Sequence, residues 1–343
     1  MVLGNLIGTD KTGANLIPNV NFGIFVYNYA SSNVIGGTTA GARNVISGTT
    51  GFGYGIAVAE ANSNVVQGNY IGTDITGTNA LPNGFAGVAV ESGSVGNLVG
   101  GAAAGAGNII AFNAYGVALY QSNTTNNAIR GNSIHDDYYG GIDLDQFPGK
   151  HIGYESGPDD WQNNPVINNA FGYGNSTIVR GSLNSLTNQT YFIDFYDNNV
   201  QGPGGYGEGQ VYLGAVTVTT DGSGNAFFAY TNTSGNYSGQ YISATATAAT
   251  GDSSQFSLDV LATNLLVPSA QFTGPFRWTG SGFAFNLTLA TNFSYHIQAT
   301  TNLAANPIPW VNLTNFTANN GSLLFTDRTS TSYPARFYRV VSP

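Results

Sequence analysis

Two acidic residues share one short segment of the sequence. The segment GIDLDQ places Asp143 and Asp145 two positions apart, each directly after an apolar residue. If the segment is a strand, both carboxylates leave the same face, about 6.5–7 Å apart along the chain. Inverting glycosidases hold their acid and base about 6.5–9.5 Å apart, and two close carboxylates raise the pKa of one of them. The spacing therefore predicts an acid/base pair for inverting glycoside hydrolysis.

Further polar and aromatic residues precede this segment. The stretch HDDYYGG carries two more acids, Asp136 and Asp137, which we expect at the turn that enters the same face. They would assist the catalytic pair. The same stretch supplies His135, Tyr138 and Tyr139, which we expect to frame a sugar-binding subsite, because aromatic rings offer a flat apolar surface with a polar handle.

The acidic segment is the last of five similar phrases, each with Gly, an apolar residue, a variable residue and a second apolar residue. The phrases are GIFVYN (23–28), GIAVAE (55–60), GVAVES (87–92), GVALYQ (116–121) and GIDLDQ (141–146). Alternation along a strand turns the variable positions outward in two columns. The columns are Phe25, Ala57, Ala89, Ala118, Asp143 and Tyr27, Ala59, Glu91, Tyr120, Asp145. They predict a groove open to solvent, in which Tyr27, Glu91 and Tyr120 contact a sugar chain.

The phrases belong to longer repeats. GNLIGTDKTGANLIPN (4–19) returns as GNYIGTDITGTNALPN (68–83), and each of the first four phrases is followed by two short apolar segments, such as NVIGG (33–37) and NVISG (44–48). Three short strands per unit, with turns rich in Gly and Asn, predict an all-β solenoid of about four to five coils, a parallel β-helix. Asn tolerates left-handed turns, and stacked Asn side chains can satisfy buried backbone groups.

A family resemblance covers about half of the chain. Residues 4–169 resemble bacterial right-handed parallel β-helix repeat proteins through the phrases NVIGG, AGARNVISG, GNYIGTD and GNSI. The resemblance implies a right-handed β-helix. It leaves the activity open, because more distant β-helix proteins include polysaccharide hydrolases, lyases, phage tailspikes and non-catalytic adhesins.

The second half of the sequence has a different pattern. Segments such as TYFIDFYD (190–197) and YISATATA (241–248) alternate apolar and polar residues, which predicts an antiparallel β-sandwich. The final stretch resembles the small fibronectin-like modules of secreted bacterial proteins. We therefore predict three domains, a β-helix at 1–165, a β-sandwich at 166–262 and a small all-β module at 263–343.

Composition limits the partners and the location. The net charge is −9, and only 8% of residues are charged. Such a chain attracts nucleic acid and polyanionic glycans poorly, so a neutral polysaccharide is the expected partner. No cysteine, signal peptide or transmembrane run is visible, and the chain begins inside a repeat. We expect an extracellular or cell-surface protein without membrane insertion, monomeric by default, whose natural N-terminus and further repeats lie upstream.

The acidic residues allow other interpretations. Polar residues at the last coil can cap the open end of a β-helix, and Asp-rich loops bind Ca²⁺ through oxygen ligands. The candidate calcium ligands are Asp159, Asp160 and Glu155. Hydrolysis itself requires no cofactor. The alternatives to a hydrolase are a non-catalytic adhesin or glycan-binding protein with capping or calcium-binding acids, and a polysaccharide lyase that uses Arg130 or Lys150 as its base.

Overall fold

Strands dominate the structure. The computed structural model describes residues 1–144, 157–265 and 270–342. The chain divides into two compact units, Met1–Asn264 and Leu265–Pro343, which we call the N-terminal and C-terminal units. The predicted all-β class is confirmed, with both parallel and antiparallel sheets.

Residues 1–144 form three parallel sheets from short strands. The strands are β1 (Leu6–Ile7), β2 (Val20–Val26), β3 (Val34–Gly36), β4 (Val45–Ile46), β5 (Thr50–Ala59), β6 (Val65–Gln67), β7 (Tyr70–Ile71), β8 (Ala86–Glu91), β9 (Leu98–Gly100), β10 (Ile109–Ala111), β11 (Tyr115–Leu119), β12 (Ala128–Arg130), β13 (Ser133–His135) and β14 (Gly140–Asp143). The sheet orders are β1-β4-β7-β10-β13, β2-β5-β8-β11-β14 and β3-β6-β9-β12. Each strand thus pairs with the strand three places along the chain.

The second of these sheets contains the five phrases, and we call it the phrase sheet. Phe25 pairs with Ala57, Ala57 with Ala89, Ala89 with Ala118, and Ala118 with Asp143. The predicted parallel register of the phrases is confirmed. Because side chains alternate along a strand, this register places the variable residues of successive phrases side by side.

The glycine that opens each phrase lies where backbone and core side chains meet most closely. A Cβ on Gly87 would lie 2.5 Å from Cγ2 of Ile110 and 2.8 Å from the carbonyl oxygen of Gly116. A Cβ on Gly116 would lie 2.5 Å from the carbonyl oxygen of Gly141. Any side chain would collide there, which explains why glycine recurs at this position.

Apolar residues from all three sheets share one core. Ile56 and Val88 of the phrase sheet are fully buried, together with Ile71 of β7 and Val66 of β6. Burial of one such side chain stabilises the fold by about 1.5–3 kcal/mol. The repeated apolar positions of the sequence are therefore the residues that hold the three sheets together.

Stacked asparagines satisfy the turns between sheets. Nδ2 of Asn33 donates to Oδ1 of Asn64 at 3.0 Å, that of Asn64 to Asn97 at 3.0 Å, and that of Asn97 to Asn127 at 2.9 Å. Each Oδ1 also accepts the backbone N–H of the preceding asparagine. A second ladder contains Asn5, Asn44, Asn69, Asn108 and Asn132. The predicted stacking of asparagines is confirmed.

Residues 157–264 form two largely antiparallel sheets around a second core. The strands are β15 (Val166–Tyr173), β16 (Ser176–Asn184), β17 (Thr190–Asn198), β18 (Val211–Thr219), β19 (Asn225–Asn232), β20 (Tyr241–Ala248), β21 (Val260–Leu261) and β22 (Thr263–Asn264), in the orders β19-β16-β15-β22 and β18-β17-β20-β21. Phe195 and Ile193 are fully buried in this core. The predicted boundary between residues 165 and 166 lies inside the N-terminal unit.

The two parts of the N-terminal unit are joined by hydrogen bonds and by an ion pair. Ile134 of β13 and Gly209 exchange backbone hydrogen bonds of 2.8 and 2.7 Å. Arg130 donates to Asp194 through Nε at 2.7 Å and through Nη2 at 2.8 Å, and Asp194 is fully buried. The antiparallel part is therefore bound to the last strands of the parallel sheets through backbone hydrogen bonds and a buried ion pair.

The C-terminal unit contains two three-stranded antiparallel sheets among its described residues. The strands are β23 (Gln271–Thr279), β24 (Gly282–Thr288), β25 (Ser294–Thr300), β26 (Val311–Thr317), β27 (Ser322–Asp327) and β28 (Phe337–Val341), in the orders β23-β24-β27 and β26-β25-β28. Phe285, Tyr295 and Ile297 lie in their common core. Short 3₁₀ turns occur in both units, at Ala40–Ala42, Pro158–Trp161, Pro203–Gly205 and Ser330–Ser332.

Candidate functional site

The outer face of the phrase sheet carries the variable position of each phrase. Ala57, Ala89 and Ala118 are nevertheless fully buried, and Asp143 is only 8% exposed. An open groove is therefore not present at these four positions of the column, whereas its first residue, Phe25, is exposed. A methyl group rises only a short way from the sheet, and the longer side chains beside it, such as Tyr54, rise further.

Aromatic rings form a continuous row on this face. Successive centroids are 4.4 to 6.1 Å apart, within the range of contacting aromatic pairs. The row is Tyr27, Phe25, Phe22, Tyr54, Phe85, Tyr115, Tyr139 and Tyr138, and it crosses every strand of the phrase sheet. We call it the aromatic row.

The two ends of the aromatic row are accessible, whereas its middle is partly buried. At the β2 end, Phe25 is 45% exposed and Tyr27 is 49% exposed. At the β14 end, Tyr138 and Tyr139 are exposed. Beside the middle of the row, the exposed ring of Phe52 contacts Phe85. The structure thus places three of the predicted sugar-binding tyrosines, Tyr27, Tyr138 and Tyr139, in one row.

The other predicted sugar-binding residues lie elsewhere or are partly buried. The hydroxyl of Tyr120 is buried, and Glu91 is partly buried, which raises the pKa of its carboxyl. His135 lies in β13 of a different sheet, where its Nδ1 is 2.7 Å from Asp136 and its ring contacts Phe112. The prediction that His135 frames the sugar subsite is not supported by this placement.

Asp143 lies at the end of the aromatic row, beside a small pocket. Tyr115, Tyr139, Tyr206 and Phe256 line this pocket together with Asp143, and about 30 Å³ remains open between them. That space holds about two water molecules. Burial raises the pKa of Tyr115, with a further contribution from the charge of Asp143. Asp145, the second member of the predicted catalytic pair, lies outside the described residues.

Asp137 ends a ladder of amide side chains. Oδ1 of Asn113 accepts from Asn83 at 3.1 Å, and Oδ1 of Asp137 accepts the backbone N–H of Asn113 at 2.8 Å and its Nδ2 at 3.2 Å. Asp137 is 3% exposed, and burial, followed by the charge of Glu208, raises its pKa well above the usual range. This burial disfavours the predicted assisting role of Asp137, because its carboxyl is closed off from solvent and its Oδ1 is held by the backbone and the side chain of Asn113.

Asp159 ends the first asparagine ladder in the same way. One carboxylate oxygen accepts the backbone N–H of Asn127 at 3.0 Å, and the other accepts that of Ser253 at 3.0 Å. A carboxylate suits the last position, because it only accepts hydrogen bonds and leaves no amide N–H without a partner. The residue is fully buried.

The predicted calcium site does not fit Asp159. Both of its oxygens are used by N–H donors, and its partner Glu155 lies outside the described residues. Asp160 is exposed. Within residues 1–144, 157–265 and 270–342, no group of three His, Cys, Asp or Glu side chains could hold a metal ion.

Glu208 is a structural residue that joins distant parts of the N-terminal unit. Its two carboxylate oxygens accept the backbone N–H groups of Asp136 at 2.9 Å and Asp137 at 3.0 Å. Burial raises the pKa of Glu208 to about 7. Asp136 is therefore held by its backbone at the end of the parallel sheets, where its side chain pairs with His135.

Comparison with protein-family models finds no matching family. Comparison with curated protein sequences finds no matching relative. Among the described residues, every helix is too short or too polar to cross a membrane. A functional conclusion therefore depends on the geometry of the outer face.

Proposed function

We propose that residues 1–144 form a right-handed parallel β-helix, followed by a β-sandwich and a small fibronectin-like module. The order of the three parallel sheets supports the β-helix, because each strand pairs with its equivalent in the next repeat. The two sheets around the second core support the sandwich. Such an architecture fits a secreted or surface-exposed bacterial protein.

The proposed function is the binding of a neutral polysaccharide at the outer face of the phrase sheet. The observation that carries this proposal is the aromatic row, whose accessible rings lie at both ends of one sheet. Aromatic rings contact the apolar faces of sugars, and Tyr adds a hydroxyl group for hydrogen bonding. A neutral ligand is expected, because the chain carries nine basic residues against eighteen acidic ones.

Binding without cleavage is preferred over hydrolysis. Asp137 and Asp159 terminate ladders, which agrees with the capping role of acids at the last coil. A lyase is less well supported, because the guanidinium of Arg130 is held by Asp194 in a buried ion pair. Hydrolysis stays a second candidate on one observation, the position of Asp143 beside Tyr115 at the end of the row.

Affinity electrophoresis with soluble neutral glucans, xylans and galactans tests the binding proposal. The double variant Phe25→Ala/Tyr27→Ala should bind about tenfold more weakly, because two sugar contacts are lost. Phe227→Ala is the matched control, since Phe227 is an exposed ring on β19 outside the row. Equal retardation of wild type and double variant would overturn the proposal.

A reducing-end assay on the same glycans separates binding from hydrolysis. We expect no release of reducing ends from wild type. Release that disappears in Asp143→Asn, at unchanged melting temperature, would instead establish the hydrolase and make Asp143 a catalytic residue.

A further inference from the structure

The C-terminal unit contains an aromatic pocket. Phenylalanines of β23 and β24 line it, together with Trp310 and Arg336, and the pocket volume is about 410 Å³. The phenylalanines are Phe272, Phe276, Phe283 and Phe285. Ligand sites for small molecules have volumes of about 300–1,000 Å³ and are mainly apolar with a few polar groups. The size and lining fit a small organic molecule.

The rings of the pocket contact one another. Phe272 lies 5.0 Å from Phe285, and Phe283 lies 5.8 Å from Tyr338 with nearly parallel planes. Phe276 is 56% exposed although it lines the pocket, so part of the apolar wall is accessible from solvent. Such a wall favours a flat aromatic group, which can contact several rings at once.

Arg336 is the charged residue among those that line this pocket, and it forms an ion pair with Asp327. Its side chain is only 9% exposed, its Nη1 donates to Asp327 at 2.9 Å and to Thr329 at 2.6 Å, and its guanidinium lies over the ring of Tyr333. A guanidinium has five N–H donors in a planar fork. Within residues 270–342, no hydrogen-bond acceptor is paired with its Nε or Nη2.

Charge distinguishes the C-terminal unit from the rest of the chain. Residues 265–343 contain four arginines, no lysine and one aspartate, which gives a formal charge of +3 with neutral histidine. The whole chain carries −9, so residues 1–264 carry −12. A second guanidinium, that of Arg339, lies 4.3 Å from the ring centroid of Trp310. Anions are therefore favoured at this unit.

We propose that this pocket binds a small aromatic carboxylate. The ring of the ligand contacts the phenylalanines, and its carboxylate accepts hydrogen bonds from Nε and Nη2 of Arg336. A neutral aromatic molecule leaves those donors without a charged partner. A free sugar can contact the rings, but it carries no negative charge for Arg336. The site is separate from the outer face and does not depend on glycan binding there.

Benzoate is the probe, and the protein is the full chain. Saturation-transfer NMR should show saturable binding of benzoate, at least about tenfold tighter than that of benzamide, which has the same shape without the charge. Acetate, which carries the charge without the ring, should not compete at equal concentration. Benzamide binding as tightly as benzoate would overturn the proposal.

Three variants locate the site. Arg336→Gln should remove the preference for benzoate over benzamide, and Phe276→Ala should weaken benzoate binding about fivefold to tenfold. Leu324→Ala is the matched control, because Leu324 is 57% exposed on β27 and does not line the pocket. If Arg336→Gln unfolds the unit, the comparison of the other two variants decides. Equal benzoate affinity in Phe276→Ala and Leu324→Ala would place the ligand elsewhere and overturn the proposal.

Discussion

The N-terminal and C-terminal units use aromatic residues in opposite ways. In the parallel sheets, strands of successive repeats lie side by side, so rings at equal or neighbouring positions, such as Phe22 and Tyr54, contact each other along the aromatic row. In the C-terminal unit, rings from an antiparallel sheet and from adjoining segments surround a pocket. The same residue type therefore gives an extended surface in one unit and a concave site in the other, because sheet topology sets how rings approach each other.

The two units also differ in how the guanidinium donors of an arginine are used. Arg130 makes two hydrogen bonds to the fully buried Asp194, and Tyr212 donates a third bond to that carboxylate at 3.1 Å. Arg336 donates to Asp327 and Thr329 through Nη1 alone. The first arginine binds one buried carboxylate through two nitrogens and so joins two parts of a fold, whereas the second donates through one nitrogen and has Nε and Nη2 for a ligand.

The largest expected effect comes from breaking the ion pair of Arg130. Arg130→Met leaves the carboxylate of Asp194 buried without its charged partner, which should lower the free energy of unfolding by about 3–5 kcal/mol. Urea unfolding of the full chain, followed by hydrogen exchange in the N-terminal unit, measures the loss. The double variant Arg130→Met/Asp194→Leu should recover most of it, since no buried charge remains. A single variant as stable as wild type would contradict a structural role for this pair.

A smaller effect separates a closely packed glycine of the parallel sheets, Gly87, from an open one of the C-terminal unit, Gly280. Gly87→Ala places a methyl group within 2.8 Å of the carbonyl oxygen of Gly116, and it should cost about 3 kcal/mol. Gly280→Ala is the matched substitution, because no atom lies within 4 Å of a Cβ there. It should change stability by less than about 0.5 kcal/mol. Thermal unfolding of both variants gives the comparison, and equal melting temperatures would contradict it.

Repetition made the parallel sheets predictable from sequence. The spacing of the phrases gives the strand register, and Asn at the start of successive strands, as in Asn64 and Asn97, predicts the ladders. Repetition also predicts which residues face outward, but not what covers them. Ala89 occupies the expected position in the column and is buried.

The functional residues were harder to predict, because residue type does not show burial. Asp137 is of the residue type expected for a catalytic acid, but it ends the ladder of amide side chains. Its partner Glu208 lies 71 residues further along the chain. The aromatic row was missed in part, because Phe22 and Phe85 precede the phrases. An aromatic residue in front of the phrase glycine, also present as Tyr54 and Tyr115, was the available signal.

The smallest predicted effect concerns pH and again distinguishes the units. Burial raises the pKa of Glu208 from its usual 4.5 to about 7, so between these values the folded chain keeps a proton that the unfolded chain has released. The contribution of Glu208 to stability is therefore fully present below about pH 4.5 and is lost as the pH rises through 7. We expect the N-terminal unit to lose about 2 kcal/mol from this group between pH 5 and pH 7.5.

Hydrogen exchange measured across this pH range checks the expectation, because it reports opening in each unit separately. Glu208→Gln should reduce the pH dependence of the N-terminal unit, since an amide does not titrate and still offers one oxygen to the N–H groups of Asp136 and Asp137. Asp197 and Asp259, whose pKa values burial raises to about 6, keep part of the dependence. Strands of the C-terminal unit serve as the internal reference. A variant with the same pH dependence as wild type would assign the effect to other buried acids. Asp137 is one of them, and the charge of Glu208 contributes to its raised pKa.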